Sequence, residues 1–107
     1  NGEQTRDFIH VSDVVAALMG IAKSLMENGV GSPCHSQAYN ICTGNAVTLN
    51  QVVSVLEKLN GEEINVTYEA IRRGDIKESS GTSKKLQQTL EWAPKVSLDF
   101  GLKELLI

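Results

Sequence analysis

The sequence predicts a helix-rich α/β chain with a few short strands, and a main sheet that lies outside these residues. Three observations carry this prediction. Apolar residues recur at helical spacing in four segments. Only three short runs contain the alternating or β-branched residues typical of strands, and they lie far apart along the chain. Three short, separated strands do not make a self-sufficient sheet of ordinary size.

The first predicted strand and helix occupy the start of the chain. Residues 7–11 are a β-prone run. Ser12 and Asp13 follow, and both side chains can cap the free amides at the start of a helix. Apolar residues at helical spacing predict that this helix covers residues 14–27. Gly29 is expected to end it, because glycine readily takes the left-handed conformation of a helix C-cap.

The second predicted strand covers residues 38–42 and is followed by a turn at residues 43–45. Thr48 and Gln51 then match a capping box, in which each side chain can accept a hydrogen bond from the other residue's backbone amide. The box predicts a second helix, which is expected to end at the Asn60 and Gly61 pair.

The last part of the chain contains one predicted strand, one loop and two short helices. Residues 64–68 alternate with period two, as in a strand with one buried face. Residues 70–82 are polar and read as a long exposed loop. Ser83 and Ser97 each precede a short segment with leucines at helical spacing, which predicts two further helices. Trp92 is expected to anchor the core.

Composition excludes several classes of protein. The net charge is −3 and the isoelectric point is near 5.3, which argues against nucleic-acid binding through a broad basic surface. No apolar run approaches the roughly 20 residues of a membrane span. Two cysteines in 107 residues indicate reduced thiols in a cytoplasmic protein. Cys34, His35 and Cys42 could be drawn as a zinc site, but their spacing fits no common zinc pattern.

A search for catalytic motifs finds no catalytic or cofactor-binding residue in this chain. No glycine-rich loop follows a strand and opens a helix, as a nucleotide phosphate would require. Neither Tyr39 nor Tyr68 has a lysine four residues later, so no lysine is placed to lower the pKa of a catalytic phenol. The chain alone is therefore predicted to be inactive.

The arginines are the remaining candidates for a binding role. Arg6 precedes the first predicted strand, and Arg72 lies in the exposed loop with Asp75 three residues later. Planar guanidinium groups suit phosphate oxygens, and a nearby carboxylate can accept hydrogen bonds from ribose hydroxyls. The alternative is that these residues are ordinary solvated surface charges. Composition alone leaves both interpretations open.

The order of the short motifs carries a resemblance to a known family. The chain resembles the C-terminal part of the NAD-dependent epimerase/dehydratase family, the extended short-chain dehydrogenases acting on nucleotide sugars, of which UDP-glucose 4-epimerase is a member. The segments that carry this resemblance follow one another along nearly the whole chain, at residues 2–15, 39–44, 48–50, 72–75, 82–85, 90–94 and 97–102. One departure is Gly81, where family members commonly have aspartate.

The resemblance implies a function for four residues. Arg6 and Arg72 would contact the diphosphate of a nucleotide sugar, which is expected to be a UDP-hexose. Asp75 would contact its ribose. Ser79 would face the sugar ring, and its small side chain implies room for larger hexoses such as N-acetylated ones. Residues 1–107 would be the C-terminal nucleotide-sugar-binding portion of a Rossmann-type enzyme, whose absent N-terminal part binds NAD and performs the chemistry.

Two other functional classes stay open, namely a free-standing binding module and an inactive structural fragment. The fragment interpretation also agrees with the first residue, which is asparagine and not methionine. Without the sheet of a longer protein, residues 38–42 would have an unpaired edge, and Leu18 and its neighbours on the first helix would lose part of their cover. Such surfaces favour self-association, most simply as a homodimer.

Overall fold

The computed structural model describes residues 1–106. This part of the chain contains four α-helices and a two-stranded antiparallel sheet, joined by loops and turns. No helix in this part is long and apolar enough to cross a membrane. In chain order, the elements are β1 (Thr5–Arg6), α1 (Val11–Asn28), a short 3-10 helix (Gly29–Gly31), β2 (Val47–Thr48), α2 (Leu49–Asn60), α3 (Lys84–Thr89) and α4 (Leu98–Leu105).

The capping residues of α2 and α4 are those that the sequence predicts. Thr48 Oγ1 accepts a hydrogen bond from the Gln51 amide at 3.1 Å, and Gln51 Oε1 accepts one from the Thr48 amide at 2.7 Å. Gly61 ends α2 with a φ of 77°, a left-handed conformation that favours glycine. Ser97 Oγ accepts from the Phe100 amide at 3.2 Å at the start of α4. These predictions are confirmed.

The start of α1 differs from the prediction, and Asp13 is not its cap. The helix begins at Val11, and His10 Nδ1 accepts a hydrogen bond from the Ser12 amide at 3.1 Å. Asp13 is buried and lies within the first turn. Its two carboxylate oxygens accept hydrogen bonds from the backbone amides of residues 95 and 96, each at 3.0 Å. The carboxylate therefore joins α1 to the segment before α4.

The sheet also differs from the prediction. β1 pairs with β2 in antiparallel register, with Thr5 opposite Thr48. On the other edge of β1, the Thr5 amide donates to the Lys77 carbonyl at 2.9 Å and the Ser79 amide donates to the Thr5 carbonyl at 3.1 Å. The strands predicted at residues 7–11, 38–42 and 64–68 are wrong, because these runs pair with no other backbone among the described residues.

A small core holds α1, α3 and the 38–42 segment together. Ala17, Leu86 and Trp92 are buried at its centre. The Trp92 indole nitrogen donates to the Asp13 carbonyl at 3.0 Å, which confirms that Trp92 is a core anchor. The half-buried residues around this centre are Ile9, Ile21, Tyr39, Ile41 and Leu90.

The chain is elongated and exposes more surface than a closed domain of its size. The radius of gyration is 17.2 Å, against about 13 Å for a compact domain of this length. The accessible surface is 8006 Å², against about 5,800 Å² for a folded monomer of this mass. Much of one face of α1 is apolar and exposed, at Val11, Val15, Leu18, Met19 and Met26.

Candidate functional site

The end of β1 and the segment paired with it form one cleft, here called the Arg6 cleft. Pairing of Thr5 with Glu78 in parallel register sets Arg6 beside Ser79. The cleft has a volume of about 320 Å³. It is lined by Arg6, Asp7, Asn40, Ile41, Cys42, Ser79, Ser80 and Gly81.

Arg72 and Asp75 line a second cleft, here called the Arg72 cleft, with a volume of about 290 Å³. They are the first and last residues of a turn in which the Asp75 amide donates to the Arg72 carbonyl at 3.1 Å. Gly74 has a φ of 88° in this turn, a conformation that L-residues rarely adopt. The opposite wall is formed by the first residues of the chain and by the start of α2, including Gly2 and Asn50.

The four residues singled out in the sequence are thus divided between two clefts. Arg6 and Ser79 share one, and Arg72 and Asp75 share the other. The clefts are linked by the short segment that pairs with β1. Ser79 is four positions after Asp75, which is at most about 14 Å of extended chain. One elongated ligand could therefore reach both clefts.

The arginines are not neutralised by carboxylates within the described residues. Arg6 Nη1 donates to the Thr5 carbonyl at 2.7 Å, which leaves most of its N–H groups available. The one ion pair in residues 1–106 joins His10 Nε2 to Glu104 Oε2 at 2.7 Å and ties α4 to the start of α1. His10 therefore has a structural hydrogen-bonding role. The guanidinium charges of Arg6 and Arg72 remain available to an anion.

Asp7 is the residue of the Arg6 cleft that sequence reasoning missed. Its Oδ1 accepts hydrogen bonds from the Thr43 amide at 3.0 Å and the Thr43 hydroxyl at 2.7 Å. Its Oδ2 accepts from the Gly44 amide at 2.8 Å. The carboxylate thus binds a turn 36 residues away along the chain. The turn signal at Thr43 and Gly44 is visible in the sequence, but its partner is not.

Tyr39 is the tyrosine nearest to a lysine, and its environment does not suit proton transfer. Lys85 Nζ lies 4.8 Å from the centre of its ring. Burial raises the pKa of the Tyr39 phenol above its ordinary value, and this effect exceeds the lowering by the nearby Thr89 side chain. The phenol donates to the Pro33 carbonyl at 3.2 Å. A tyrosine that transfers protons near neutral pH needs a lowered pKa, so the shift has the opposite direction.

The cysteines and the acidic residues do not form a metal centre within residues 1–106. Cys34 is buried and Cys42 is half-buried, and both are free thiols. No three histidine, cysteine, aspartate or glutamate side chains of this part of the chain come together as metal ligands would. Cys42 instead contributes to the wall of the Arg6 cleft.

Comparison with known proteins finds a family and several relatives. The family model described as GDP-mannose 4,6 dehydratase matches residues 1–105. Among curated proteins, UDP-glucose 4-epimerase 4 of Oryza sativa subsp. japonica is 28% identical over 105 residues, which are 98% of this chain and 26% of the relative. The chain thus spans about a quarter of the length of that protein.

Two solved structures share both fold and sequence with the chain. UDP-glucose 4-epimerase of Thermotoga maritima, solved with UDP-glucose, superposes with a TM-score of 0.80 and 37% identity over 96% of this chain and 30% of that one. MoeE5, solved with UDP-glucuronic acid and NAD, superposes with a TM-score of 0.76 and 34% identity over 95% of this chain and 32% of that one. The match to nearly the whole chain, in sequence and in fold, shows that it belongs to the GDP-mannose 4,6 dehydratase family of NAD-dependent epimerases and dehydratases.

Proposed function

We propose that residues 1–107 are the C-terminal, nucleotide-sugar-binding portion of an NAD-dependent epimerase or dehydratase that acts on a UDP-hexose. The observation that carries the proposal is the pairing of β1 with residues 77–79, which connects two clefts that each contain an unneutralised arginine. In this proposal Arg6 and Arg72 bind the diphosphate, Asp75 binds the ribose, and Ser79 borders the sugar ring. The UDP-sugars in the related structures support this choice of ligand.

The chain contributes binding and orientation, while the chemistry lies elsewhere in the whole protein. NAD, which is bound in a related structure, would supply hydride transfer at the sugar. The residues of this chain do not fit NAD, since the sequence has no glycine-rich phosphate loop. Their part is to hold the diphosphate so that the sugar stays in one orientation. We also propose a cytoplasmic location, which the two free thiols support.

The surface of the chain supports its assignment as a portion of a longer protein. Residues 39–42 belong to no helix or strand, and their backbone groups make no hydrogen bonds within residues 1–106. The exposed apolar face of α1 and the roughly 2,200 Å² of surface beyond that of a closed monomer indicate that something larger covers the chain. A sheet in the rest of the protein would pair with residues 39–42 and cover α1.

The isolated 107-residue chain is expected to have no epimerase or dehydratase turnover, whereas the full-length protein converts a UDP-hexose when NAD is supplied. The reason is that the sequence has no glycine-rich cofactor loop and no tyrosine followed by a lysine four residues later. Both proteins are incubated with NAD and UDP-hexoses, and the products are separated by chromatography. Heat-inactivated full-length protein is the control. Reproducible conversion by the isolated chain contradicts the proposal that the chemistry lies elsewhere in the whole protein.

A free-standing module is the second candidate, and the association state of the isolated chain separates it from a portion of a longer protein. As such a portion, the isolated chain is expected to self-associate, most simply as a symmetric dimer, because Leu18, Met19 and Met26 are exposed within residues 1–106. Sedimentation over a hundredfold range of concentration measures this. Leu18→Glu should shift the equilibrium toward monomer, while Lys58→Glu on the exposed side of α2 should not. A monomer at every concentration, with cooperative unfolding, contradicts self-association.

A further inference from the structure

The Asp7 carboxylate follows an arginine in the sequence, yet its three hydrogen-bond donors come from elsewhere in the chain. The Thr43 amide, the Thr43 hydroxyl and the Gly44 amide all donate to it, at 2.7–3.0 Å. Gly44 has a φ of 78°, which only glycine adopts readily, and its N–H donates to the carboxylate. Two successive backbone N–H groups form a concave anion site, and here the chain's own carboxylate fills it.

The clamp made by Asp7 supports one wall of the Arg6 cleft. That wall consists of Asn40, Ile41 and Cys42, which come directly before Thr43. Their backbone has no hydrogen-bond partner within residues 1–106, so this wall is held by the packing of Ile41 on the core and by the clamp at Thr43. Loss of the clamp would let the wall move relative to Arg6 and Ser79 on the other side.

The same hydrogen bonds keep the Asp7 carboxylate away from the Arg6 guanidinium. Adjacent residues of opposite charge could form a pair, yet no carboxylate lies within 4.0 Å of Arg6 among the described residues. The three hydrogen bonds hold the carboxylate against the turn at Thr43 and Gly44, where it does not neutralise Arg6. The positive charge of Arg6 is therefore left for an anion in the cleft.

We propose that Asp7 is a positioning residue of the anion site: it fixes the Asn40–Cys42 wall and leaves Arg6 free to bind the diphosphate. The inference rests on the proposed role of Arg6. For the loss of the Asp7 charge, the inference predicts a change in anion affinity opposite to the one expected from charge alone. Removing a negative charge beside an anion site should tighten anion binding by simple electrostatics, whereas a positioning role requires that binding weaken.

The test measures binding of UDP and of uridine by the full-length protein and its variants, using calorimetry. Asp7→Asn keeps the shape but loses the charge and presents an amide to backbone donors, so we expect UDP binding to weaken about 5- to 20-fold. Thr43→Val removes the hydroxyl that donates to Asp7 and that also bonds to the backbone of Asn45, without changing the charge. It should weaken UDP binding about two- to fivefold. Uridine, which has no phosphate, should bind the variants as it binds the wild type. Glu62→Gln, on an exposed turn, controls for the loss of one negative charge.

Each outcome decides between the inference and the proposal on which it rests. If Arg6→Ala leaves UDP affinity unchanged, the proposed diphosphate role of Arg6 is wrong. If Arg6→Ala weakens UDP binding while Asp7→Asn leaves it unchanged or tighter, only the role of Asp7 is wrong. If the variants lose equal affinity for UDP and for uridine, the structure as a whole is disturbed, and this result also overturns the inference. If Asp7→Asn does not fold, Thr43→Val decides by the same comparison.

Discussion

Replacing Arg6 or Arg72 by alanine in the full-length protein is expected to weaken binding of a UDP-sugar about 10- to 150-fold, because a hydrogen bond to a charged group contributes about 1.5–3 kcal/mol. The loss of affinity should be larger at low salt, because dissolved ions partly screen the attraction between phosphate and guanidinium charges. Calorimetry with UDP-glucose measures the affinities. Arg73→Ala is the matched control, because Arg73 lies in the same exposed turn and has no assigned role. Unchanged affinity in both single variants contradicts the assignment.

The double variant tests how one ligand uses the two clefts. Arg6 and Arg72 line different clefts, so two arrangements are open to a bound nucleotide sugar. If both guanidinium groups grip the same diphosphate, the losses should depart from additivity by more than about 0.5 kcal/mol. If each binds a separate part of the ligand, the losses should add. A double-mutant cycle with UDP and UDP-glucose separates these arrangements.

Replacing Asp13 by alanine is expected to lower the free energy of unfolding by about 2–4 kcal/mol. The carboxylate is buried, and its loss leaves the amides of Lys95 and Val96 without acceptors in a partly buried place. It also loosens the contact between α1 and the segment before α4. Urea unfolding followed by the fluorescence of Trp92, the only tryptophan of the chain, measures the effect.

The control for Asp13 is another acidic residue of the same helix. Glu27 is exposed in the last turn of α1, and Glu27→Ala should change the free energy of unfolding by less than about 0.5 kcal/mol. Asp13→Asn keeps one acceptor oxygen and should lie between the two. Equal stability of Asp13→Ala and Glu27→Ala would show that the bonds to residues 95 and 96 contribute nothing measurable.

The strands show where sequence reasoning stops. Residues 64–68 alternate apolar and polar side chains as a strand does, yet Ile64 and Val66 are exposed and their backbone has no strand partner within residues 1–106. Alternation reports which side chains share a face, whereas a strand exists only where another backbone pairs with it. β1 is a strand because distant backbone pairs with it. It is two residues long, and its partners are about 40 and 70 residues away in sequence.

The candidate site also has features that the sequence predicts and features that depend on contacts between distant residues. Arg6, Arg72 and Asp75 were singled out from residue type and motif order, because guanidinium forks and carboxylates suit phosphates and ribose. Their division between two clefts was not predictable, since it follows from the long-range pairing of β1. Asp7 was missed for a related reason. Its chemical role depends on Thr43 and Gly44, and nothing in the sequence near Asp7 identifies them as partners.

The sequence by itself determined that four helices form, where α2 begins and ends, and where α4 begins. Thr48, Gln51, Gly61 and Ser97 act on backbone groups within four residues, so short-range chemistry is sufficient for α2 and α4. Tertiary structure alone decided that β1 is a strand, that His10 and not Asp13 caps α1, and that the Asp7 and Asp13 carboxylates bind distant backbone amides. The physical reason is that a hydrogen-bonding group takes the best partner available in the folded chain, and for the Asp7 and Asp13 carboxylates that partner lies 36 to 83 residues away.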